Sequence, residues 1–354
     1  MKQKVTIQDL ADALGISRNT VSKAINNSAG IADATRDRIL RKAVELGYKQ
    51  FSYVSFLSGS APPTPKPGAG DAGPVNEIAL FTTAFLTQSH FASPMLDKLQ
   101  CDLSQLGYTL NTHRVTPENR AAGSLPPTFR KERTAAILCV EMFDRGYDEL
   151  ICALGLPVLF VDGPPKADGV TLPADQLYME NAAAITRFVR GKLRQGKTRI
   201  GFIGDYMHCQ SFFERYIAFR CAMLLAGQDV EERFLLKTHA VEEVAEKLSA
   251  LREKPDVFLC ANDFVAADAI KILHAQGFRV PADIEICGFD DSPEARILTP
   301  RLTTVHIHSQ VMAISAMQLL MSRIREPSLD YRTVYTETDL IYRESAGSGP
   351  AGEA

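Results

Sequence analysis

The stretch Val5-Thr-Ile-Gln-Asp-Leu-Ala-Asp-Ala-Leu-Gly-Ile-Ser-Arg-Asn-Thr-Val-Ser-Lys-Ala-Ile-Asn-Asn27 predicts two short helices joined by a tight turn. Thr6 and Asp9 have the spacing of a capping box, with Asp9 in place of the usual Glu, and apolar residues follow them at helical spacing. Gly15 allows the turn, and Ser17 can cap a second helix whose outer face is polar and basic. This arrangement is typical of a helix-turn-helix, although the pattern also fits a generic three-helix bundle with a solvated face.

The rest of the N-terminal region sets the domain boundaries. A third helix is predicted over residues 33–46, with Gly47 as its stop. Residues 58–74 contain five prolines and four glycines, which excludes a helix or a central strand and predicts a linker. We therefore expect a helix-turn-helix domain over 1–49, a Pro/Gly-rich linker over 60–75, a body over 76–345 and a flexible tail over 346–354, with residues 50–59 between the first two.

The body alternates between short apolar strands and helical stretches. The strands are predicted at residues 78–82, 135–140, 157–162, 199–204, 256–261 and 284–290. Such alternation indicates βαβ units around parallel sheets. Because this length of chain is long for one sheet, two lobes are expected.

Charge and composition exclude several classes of protein. Residues 1–60 carry nine Lys and Arg against five Asp and Glu, a net charge of +4, whereas the remaining 30 basic and 37 acidic residues give −7. The whole-chain net charge of −3 gives no global attraction to nucleic acid or membrane. The seven cysteines have no metal-binding spacing and are expected to be reduced thiols. No signal peptide or apolar run of membrane length is found, so a cytoplasmic location is expected.

Two motifs suggest chemistry that their context does not support. Gly191-Lys-Leu-Arg-Gln-Gly-Lys-Thr198 satisfies the Walker A spacing, but a predicted helix precedes it and a predicted strand follows, the reverse of a phosphate-binding loop. Asp290 and Asp291 suggest acid/base catalysis, but neighbouring strand residues point to opposite faces of a sheet. No nucleophile or metal-ligand set accompanies them, so we expect neither an enzyme nor a cofactor.

The N-terminal stretch, followed by Ala34-Thr-Arg-Asp-Arg-Ile-Leu40 and Glu45-Leu-Gly-Tyr48, resembles the DNA-binding head of the lactose/galactose repressor (LacI/GalR) family. The body matches successive family motifs in order: Cys260-Ala-Asn-Asp263, Arg279-Val-Pro-Ala-Asp283, Gly288-Phe-Asp-Asp291, Thr299-Pro-Arg-Leu-Thr-Thr-Val305 and Tyr342-Arg-Glu-Ser345. The resemblance covers nearly the whole chain outside the linker. It implies an N-terminal all-α helix-turn-helix DNA-binding head and an α/β periplasmic-binding-protein-like body with two Rossmann-like lobes.

The resemblance also assigns DNA-contacting positions. Arg18, Asn19 and Lys23 occupy the positions that read base edges, where Arg and Lys favour guanine and Asn favours adenine. The positions implied to hold phosphates are Thr6, Ser17, Thr20, Ser22, Asn26 and Tyr48. Thr6 and Ser17 also have the simpler role of helix caps. Both roles are compatible because a helix N-terminus favours a phosphate.

The resemblance also implies a hinge helix over residues 50–59, and this hinge is where the sequence departs from the family. Leu57 falls on the family's leucine that is wedged between base pairs in the minor groove. However, Gln50 and Phe51 replace the usual Pro-Asn entry, Ser55 replaces the usual Arg, and several neighbours are poor helix formers. The alternative is an apolar linker that packs on the body.

In the body, Arg215, Asn262 and Asp290 match the family's polar effector contacts. Asn262 and Asp290 each end an apolar strand, where open α/β sheets place ligands. The trio suits a polyhydroxylated ligand, or one with a carboxylate or phosphate that faces Arg215. Phe91 follows the first strand and is interpreted either as a stacking residue for a ligand ring or as a core residue.

Together these features predict a ligand-responsive transcriptional regulator, a repressor rather than an activator, with a sugar-like effector bound between its lobes. Because one small head neutralises few phosphates, we expect a homodimer with two heads on a near-palindromic operator in double-stranded DNA. The alternatives are control by a protein partner and a solute-binding protein with no DNA role. No membrane contact is expected.

Overall fold

The computed structural model describes residues 6–25, 35, 38, 39, 42, 43, 46, 75–83, 91–238 and 240–347. The chain divides into two compact units, Met1–Thr64 and Pro65–Ala354. We refer to them as the head and the body. Among the described residues, no helix has the length and apolar character needed to cross a membrane.

The head begins with helices α1 (Ile7–Leu14) and α2 (Arg18–Ile25). The predicted capping box is present: the Asp9 amide donates to Thr6 Oγ1 (3.3 Å), and the Thr6 amide donates to Asp9 Oδ2 (2.7 Å). Gly15 ends α1 with φ of 66°, a left-handed conformation that costs glycine little. The tight turn into α2 therefore follows from local sequence.

A small apolar core holds the head together. Leu10 and Ala11 of α1 are buried, as are Val21 and Ala24 of α2. The described residues 35, 38, 39, 42 and 43 of the third predicted helix are helical, and two of them, Ile39 and Ala43, are fully buried. This pattern confirms the predicted helix-turn-helix architecture.

The body contains two parallel sheets. Its strands are β1 (Glu77–Thr82), β2 (Thr109–Arg114), β3 (Thr134–Val140), β4 (Val158–Val161), β5 (Asp175–Met179), β6 (Ile200–Ile203), β7 (Leu235–Leu236), β8 (Val257–Cys260), β9 (Glu285–Cys287), β10 (Thr304–Ile307), β11 (Thr333–Thr336) and β12 (Thr338–Ile341). The first lobe has the strand order β11-β5-β4-β3-β1-β2, and the second has β7-β6-β8-β9. Strands β10 and β12 form an antiparallel pair that joins the second sheet by single bridges beside β9.

Helices cover these sheets. They are α3 (Ala92–Gln105), α4 (Pro117–Ala122), α5 (Arg145–Cys152), α6 (Ala183–Arg194), α7 (Gln210–Leu225), α8 (Val241–Ala250), α9 (Asp263–Ala275), α10 (Pro293–Ile297) and α11 (Ser309–Arg325), with short 3-10 turns at Lys131–Arg133, Glu232–Phe234 and Glu344–Ala346. In the second lobe, α6 and α7 contribute to the apolar core on one face of the sheet, and α8, α9 and α10 contribute to the core on the other. The sequence-derived α/β class with two lobes is confirmed.

The chain passes between the lobes three times. The crossings lie between β5 and α6 (residues 180–182), between β10 and α11 (residue 308) and between β11 and β12 (residue 337). Two of the crossings are tied together, since the Glu180 amide donates to the Thr336 carbonyl (2.7 Å) and Thr338 Oγ1 donates to the Glu180 carbonyl (2.9 Å). These bonds hold the first and third connections beside each other.

The observed strands are more numerous than the predicted ones, and four of the six predicted strands are shorter than expected. Residues 284–290 were expected to form one strand, but β9 ends at Cys287, and Asp290 and Asp291 beyond it have φ of 122° and 52°, outside the strand region. Strand β2 has no apolar alternation because it is a largely exposed edge strand.

At the other end of the body, Ala346 is fully buried, and its carbonyl accepts a hydrogen bond from Lys192 Nζ.

One buried acid in α5 has no hydrogen-bond partner. Asp148 is fully buried, and neither carboxylate oxygen has a partner among the described residues. Burial raises the pKa of Asp148 to about 8, and the nearby Asp144 carboxylate adds to the shift. A carboxyl group of this kind remains protonated in the folded chain at a pH where it ionises in the unfolded chain.

Asp148 therefore makes stability fall as pH rises. Below the unfolded pKa near 3.8, Asp148 is protonated in both states, so its ionisation does not change the stability. Above that pH the unfolded chain gains stability by ionising, and the folded state loses relative stability until the pH reaches the folded pKa near 8. We expect the difference in free energy of unfolding between Asp148→Asn and wild type to increase in favour of the variant by about 1 kcal/mol for each pH unit between pH 5 and 8. Urea unfolding at several pH values measures this. The exposed neighbour Glu149 provides the control Glu149→Gln, and equal pH profiles for all three proteins would contradict the assignment.

Candidate DNA-binding and effector-binding sites

The outer side of α2 presents the predicted base-reading residues. Arg18, Asn19 and Lys23 are exposed, while Thr20 and Ser22 are half-buried. Asn19 and Lys23 are four residues apart and so lie on one helix face. The surface offers guanidinium, amide and ammonium donors, the groups that recognise base edges in a major groove.

Two of the predicted phosphate-binding residues cap helices. The Thr20 amide donates to Ser17 Oγ (3.0 Å) at the start of α2, and the two hydroxyls are 2.7 Å apart. Thr6 caps α1, but its hydroxyl also donates to Asp9 Oδ2 (2.7 Å). Because a phosphate there would meet the Asp9 carboxylate, Ser17 is the more favourable of the two positions for an anion. Three other predicted DNA contacts, Asn26, Tyr48 and Leu57, lie outside the described residues.

Arg215 lies buried in the second turn of α7. Its Nε donates to Asn181 Oδ1 (2.9 Å), and its Nη1 donates to the Ala261 carbonyl (2.6 Å). Its guanidinium lies 3.5 Å from the centroid of the Phe289 ring. The nearest carboxylate oxygen of Asp290 is 3.9 Å from Nη1. Two of the predicted effector contacts are therefore brought together, and the guanidinium already has protein partners.

The Asp290 carboxyl group is held in an unfavourable environment. Burial raises its pKa well above the usual range; Arg215 opposes this shift, while Asp263, Glu141 and Asp162 reinforce it. Asp291 next to it faces different partners: burial raises its pKa, but hydrogen bonds from His306, Arg296 and Arg343 outweigh burial and hold the pKa below the usual range. The two neighbouring carboxylates thus belong to different environments, which does not favour a catalytic pair.

Backbone strain concentrates at the ends of three strands. Among the described residues other than glycine, positive φ angles occur only at Glu141 (55°), Asp162 (56°), Asp290 (122°) and Asp291 (52°). Glu141 follows β3, Asp162 follows β4, and the aspartate pair lies just beyond β9. Strained backbone that persists at one edge of a fold is characteristic of ligand sites, and this edge is where parallel sheets bind ligands.

Asp162 was not among the predicted site residues. It comes from the first lobe, and its Oδ1 accepts from the amide of Ser211 (3.2 Å) at the start of α7 in the second lobe. The Gln210 amide also donates to the Gly163 carbonyl (2.8 Å). Burial raises the pKa of Asp162, with Arg215 among the groups that oppose the shift. Its place at the end of an apolar strand is the same signal that singled out Asn262 and Asp290.

A second unpredicted group surrounds Glu214. Its carboxylate accepts from Asn181 Nδ2 (2.8 Å), Gln210 Nε2 (2.8 Å) and Tyr335 Oη (2.7 Å). Asn181 lies in a crossing between the lobes, and Tyr335 lies in β11 of the first lobe. Glu214 and Arg215 therefore hold the start of α7 against the crossing and the first lobe.

The two remaining predicted effector contacts have structural roles. Asn262 caps α9, since its Oδ1 accepts from the Val265 amide (3.0 Å). Phe91 precedes α3 and packs, partly buried, against the main core of the body. Residues 84–90 next to it lie outside the described part of the chain, so its contact with an effector stays a prediction.

The Walker-like sequence is not a phosphate-binding loop. Helix α6 ends at Arg194 within the motif, and β6 begins at Ile200 after it. A phosphate-binding loop leaves a strand and opens a helix, so that amide groups converge on the phosphate. The observed order is the reverse, which confirms the interpretation of the sequence.

Comparison with known proteins supports both parts of the chain. Residues 6–50 match the sequence profile of bacterial regulatory proteins, lacI family, and residues 190–346 match that of the periplasmic binding protein-like domain. The HTH-type transcriptional repressor PurR of Vibrio parahaemolyticus is 23% identical over 347 residues, which cover 96% of this chain and 98% of the relative. PurR of Erwinia tasmaniensis is 25% identical over 353 residues, with 98% of each chain covered.

Solved structures share the fold. A transcriptional regulator CelR–cellobiose complex has a TM-score of 0.68 at 21% identity, with 97% of this chain and 100% of that chain covered. A lac repressor dimer bound to operator and the anti-inducer ONPF has a TM-score of 0.63 at 18% identity, with 98% and 100% covered.

The head and the body thus define a DNA-binding regulator with an effector-binding domain. More narrowly, the chain is a DNA-binding transcriptional regulator of the lacI family of bacterial regulatory proteins, with a periplasmic-binding-protein-like body. This family consists of regulators rather than enzymes. The match of this chain's head to the lacI family contradicts the alternative of a solute-binding protein with no DNA role.

The Glu214 hydrogen bonds predict a measurable stabilisation. Glu214→Ala removes the acceptor of three hydrogen bonds, from Asn181, Gln210 and Tyr335, and we expect the free energy of unfolding to fall by about 2 kcal/mol. Thermal unfolding measures the change. The control is Glu232→Ala, which removes an exposed carboxylate paired with Arg220 and should change stability by less than about 1 kcal/mol. Equal losses in both variants would contradict a special role for Glu214.

Proposed function

We propose that this repressor is a homodimer whose two heads bind a near-palindromic operator, and that a neutral, sugar-like effector bound between the lobes controls it. The observation that carries the proposal is the convergence of Asp162 from the first lobe with Arg215 and Asp290 from the second. In this proposal residues 50–59 are the hinge helix and residues 60–75 are the linker; residues 50–74 lie outside the described part of the chain. A cytoplasmic location goes with this role.

The charge distribution around Arg215 favours a neutral polyhydroxylated effector. The guanidinium already donates to Asn181 and to the Ala261 carbonyl and lies beside Asp290, so it is a poor receptor for a phosphate or carboxylate. An anion beside Asp162 and Asp290 would further disfavour ionisation of these acids, whose pKa values burial already raises, whereas sugar hydroxyls can donate to them. The similar fold of the CelR–cellobiose complex supports a carbohydrate.

DNA recognition is assigned to α2 and to the helix N-termini of the head. In this proposal Arg18, Asn19 and Lys23 read base edges, and Thr6, Ser17, Thr20 and Ser22 hold phosphates together with Asn26 and Tyr48. Leu57 is proposed as the minor-groove wedge. The fold shared with a lac repressor dimer bound to operator supports this arrangement.

Dimerisation is required because one small head makes too few phosphate contacts for tight specific binding. The body offers exposed apolar side chains on the side of the second lobe covered by α8, α9 and α10: Val241, Phe264 and Ile297 have exposed fractions of 44%, 41% and 81%. We assign the dimer contact to this side. An effector that closes the lobes would change the spacing of the two heads, to the extent that its affinity differs between the two arrangements.

The base-reading role of Arg18 is tested by its removal. Arg18→Ala should relax the preference at one base position in each half-site and cost about 1–3 kcal/mol on the preferred operator, because a bidentate contact to guanine is lost. Selection of binding sites from a random duplex pool at near-physiological salt measures the preference. Ser22→Ala, which removes a proposed phosphate contact, should instead weaken all sequences alike. A uniform loss for Arg18→Ala would contradict its role.

The charge preference of the effector site is tested with matched sugars. Neutral mono- and disaccharides, cellobiose included, are each compared with a phosphorylated counterpart by thermal unfolding. We expect a neutral sugar to raise the melting temperature and its phosphorylated form to raise it less, because the phosphate meets Asp162 and Asp290. Asp290→Asn should abolish the shift and Glu232→Ala should keep it. Larger shifts with the phosphorylated sugars would contradict the proposal.

A further inference from the structure

The outer face of helices α6 and α7 carries an apolar stripe that nothing in the effector site uses. Leu224 and Leu225 at the end of α7 have exposed fractions of 75% and 84%. Ile217, seven residues before Leu224, is 40% exposed on the same helix face. Large aliphatic side chains this exposed and this close together indicate an interaction surface.

A groove lies directly beside this stripe. Its volume is about 510 Å³, and it runs between the two helices. Thr186, Arg190 and Leu193 of α6 form one wall, and Ala222 and Leu225 of α7 form the other. The surface therefore presents an exposed leucine, Leu224, next to a groove wide enough to receive one.

Charges of both signs lie in the segments that line the groove. Arg187, Arg190 and Arg194 recur at helical spacing on α6 and are exposed, and residues 183–199 contain no acidic residue. Acidic residues follow α7, and the first of them is Asp229. Within the described residues, neither Arg190 nor Asp229 has an ion-pair partner. We call Arg187, Arg190, Arg194, Ile217, Leu224, Leu225 and Asp229 the α6–α7 surface.

This surface is self-complementary. It places the exposed Leu224 beside the groove. It also places the row of arginines near Asp229. A twofold axis brings each feature of one copy against its complement on the other, which is the requirement for an isologous contact. An unrelated acidic helix could fill the groove and meet the arginines, but it would leave Asp229 without a complement. The charge pattern therefore favours a second copy of this chain.

The α6–α7 surface is separate from the side assigned to the dimer. Helices α6 and α7 pack on one face of the second sheet, and α8 and α9 pack on the other. The outer faces of the two helix pairs therefore point away from each other, so both surfaces can be occupied at once. Where the twofold axes of two such isologous contacts cross at right angles, they generate a closed assembly of four subunits.

We propose that the α6–α7 surface is a second self-association interface, which joins two of the proposed dimers into a tetramer. Leu224 of each copy enters the groove of its partner, and Arg190 of each copy faces the partner subunit's Asp229. The tetramer rests on the proposed function, because it presupposes the dimer formed on the α8–α9 side.

The test is the mass of the full chain in solution, measured by light scattering across a concentration series. We expect wild type to reach the mass of four subunits, and Leu224→Glu with Leu225→Glu to stop at two, a twofold reduction. Both side chains are exposed, and circular dichroism checks that the variant is folded. The matched control is Val170→Glu, which places the same charge at a residue 51% exposed in the first lobe and should keep four subunits.

A charge exchange tests the geometry of the contact. Arg190→Glu should favour two subunits because the introduced carboxylate faces Asp229, and Arg190→Glu with Asp229→Arg should restore four. No effect of the first change, or no restoration by the second, would overturn the paired contact.

The possible masses separate this inference from the proposed function. A wild type that stays at two subunits at every concentration overturns the tetramer and leaves the dimer intact. Four subunits in both wild type and the leucine variant overturn the assignment of the interface to α6 and α7. A change from two subunits to one would show that the α6–α7 surface is the dimer contact itself, and would also overturn the side assigned under the proposed function.

Discussion

The burial of one guanidinium organises the body. A cation removed from water is costly unless its donors are matched by acceptors, and Arg215 finds them in Asn181 of a crossing and in the Ala261 carbonyl beyond β8. Phe289, beyond β9, covers its flat face. The side chain thus fixes the start of α7, a crossing and the ends of two strands relative to one another. The proposed effector site is therefore built around a group whose hydrogen bonds are made without a ligand.

The same buried environment disfavours the charged form of the neighbouring acids. Burial raises the pKa values of Asp162 and Asp290, and both residues have a backbone conformation that is strained for a side chain other than glycine. Such features lower the stability of the ligand-free body, and donors from a ligand can offset part of the cost. In the proposed mechanism, a polyhydroxylated molecule that donates to Asp162 of the first lobe and to Asp290 of the second would hold the two lobes together, so its binding energy would favour that arrangement.

The parts of this structure that sequence could predict are those set by local rules. Thr6, Gly15 and Ser17 fix the helix ends of the head through neighbours within four residues, and Asp290 stands out as a polar residue after an apolar run. Asp162 also follows an apolar strand, but it matches no effector-contact position of the family, so the resemblance does not single it out. The Glu214 hydrogen bonds were beyond such rules, because Tyr335 reaches Glu214 only through the pairing of β11 with β5. That pairing joins segments far apart in the sequence.

Helix α7 has two functional ends. Its first turns hold Gln210, Ser211, Glu214 and Arg215 against the first lobe and the crossing, whereas its last turns carry the exposed leucines. A helix moves largely as a rigid element, so a change in lobe closure that shifts the first turns also shifts Leu224 and Leu225. If effector closes the lobes and the leucines contact a second copy, the two equilibria are thermodynamically linked, and each must alter the other by the same factor. Self-association would then belong to the regulatory mechanism and not to the architecture alone.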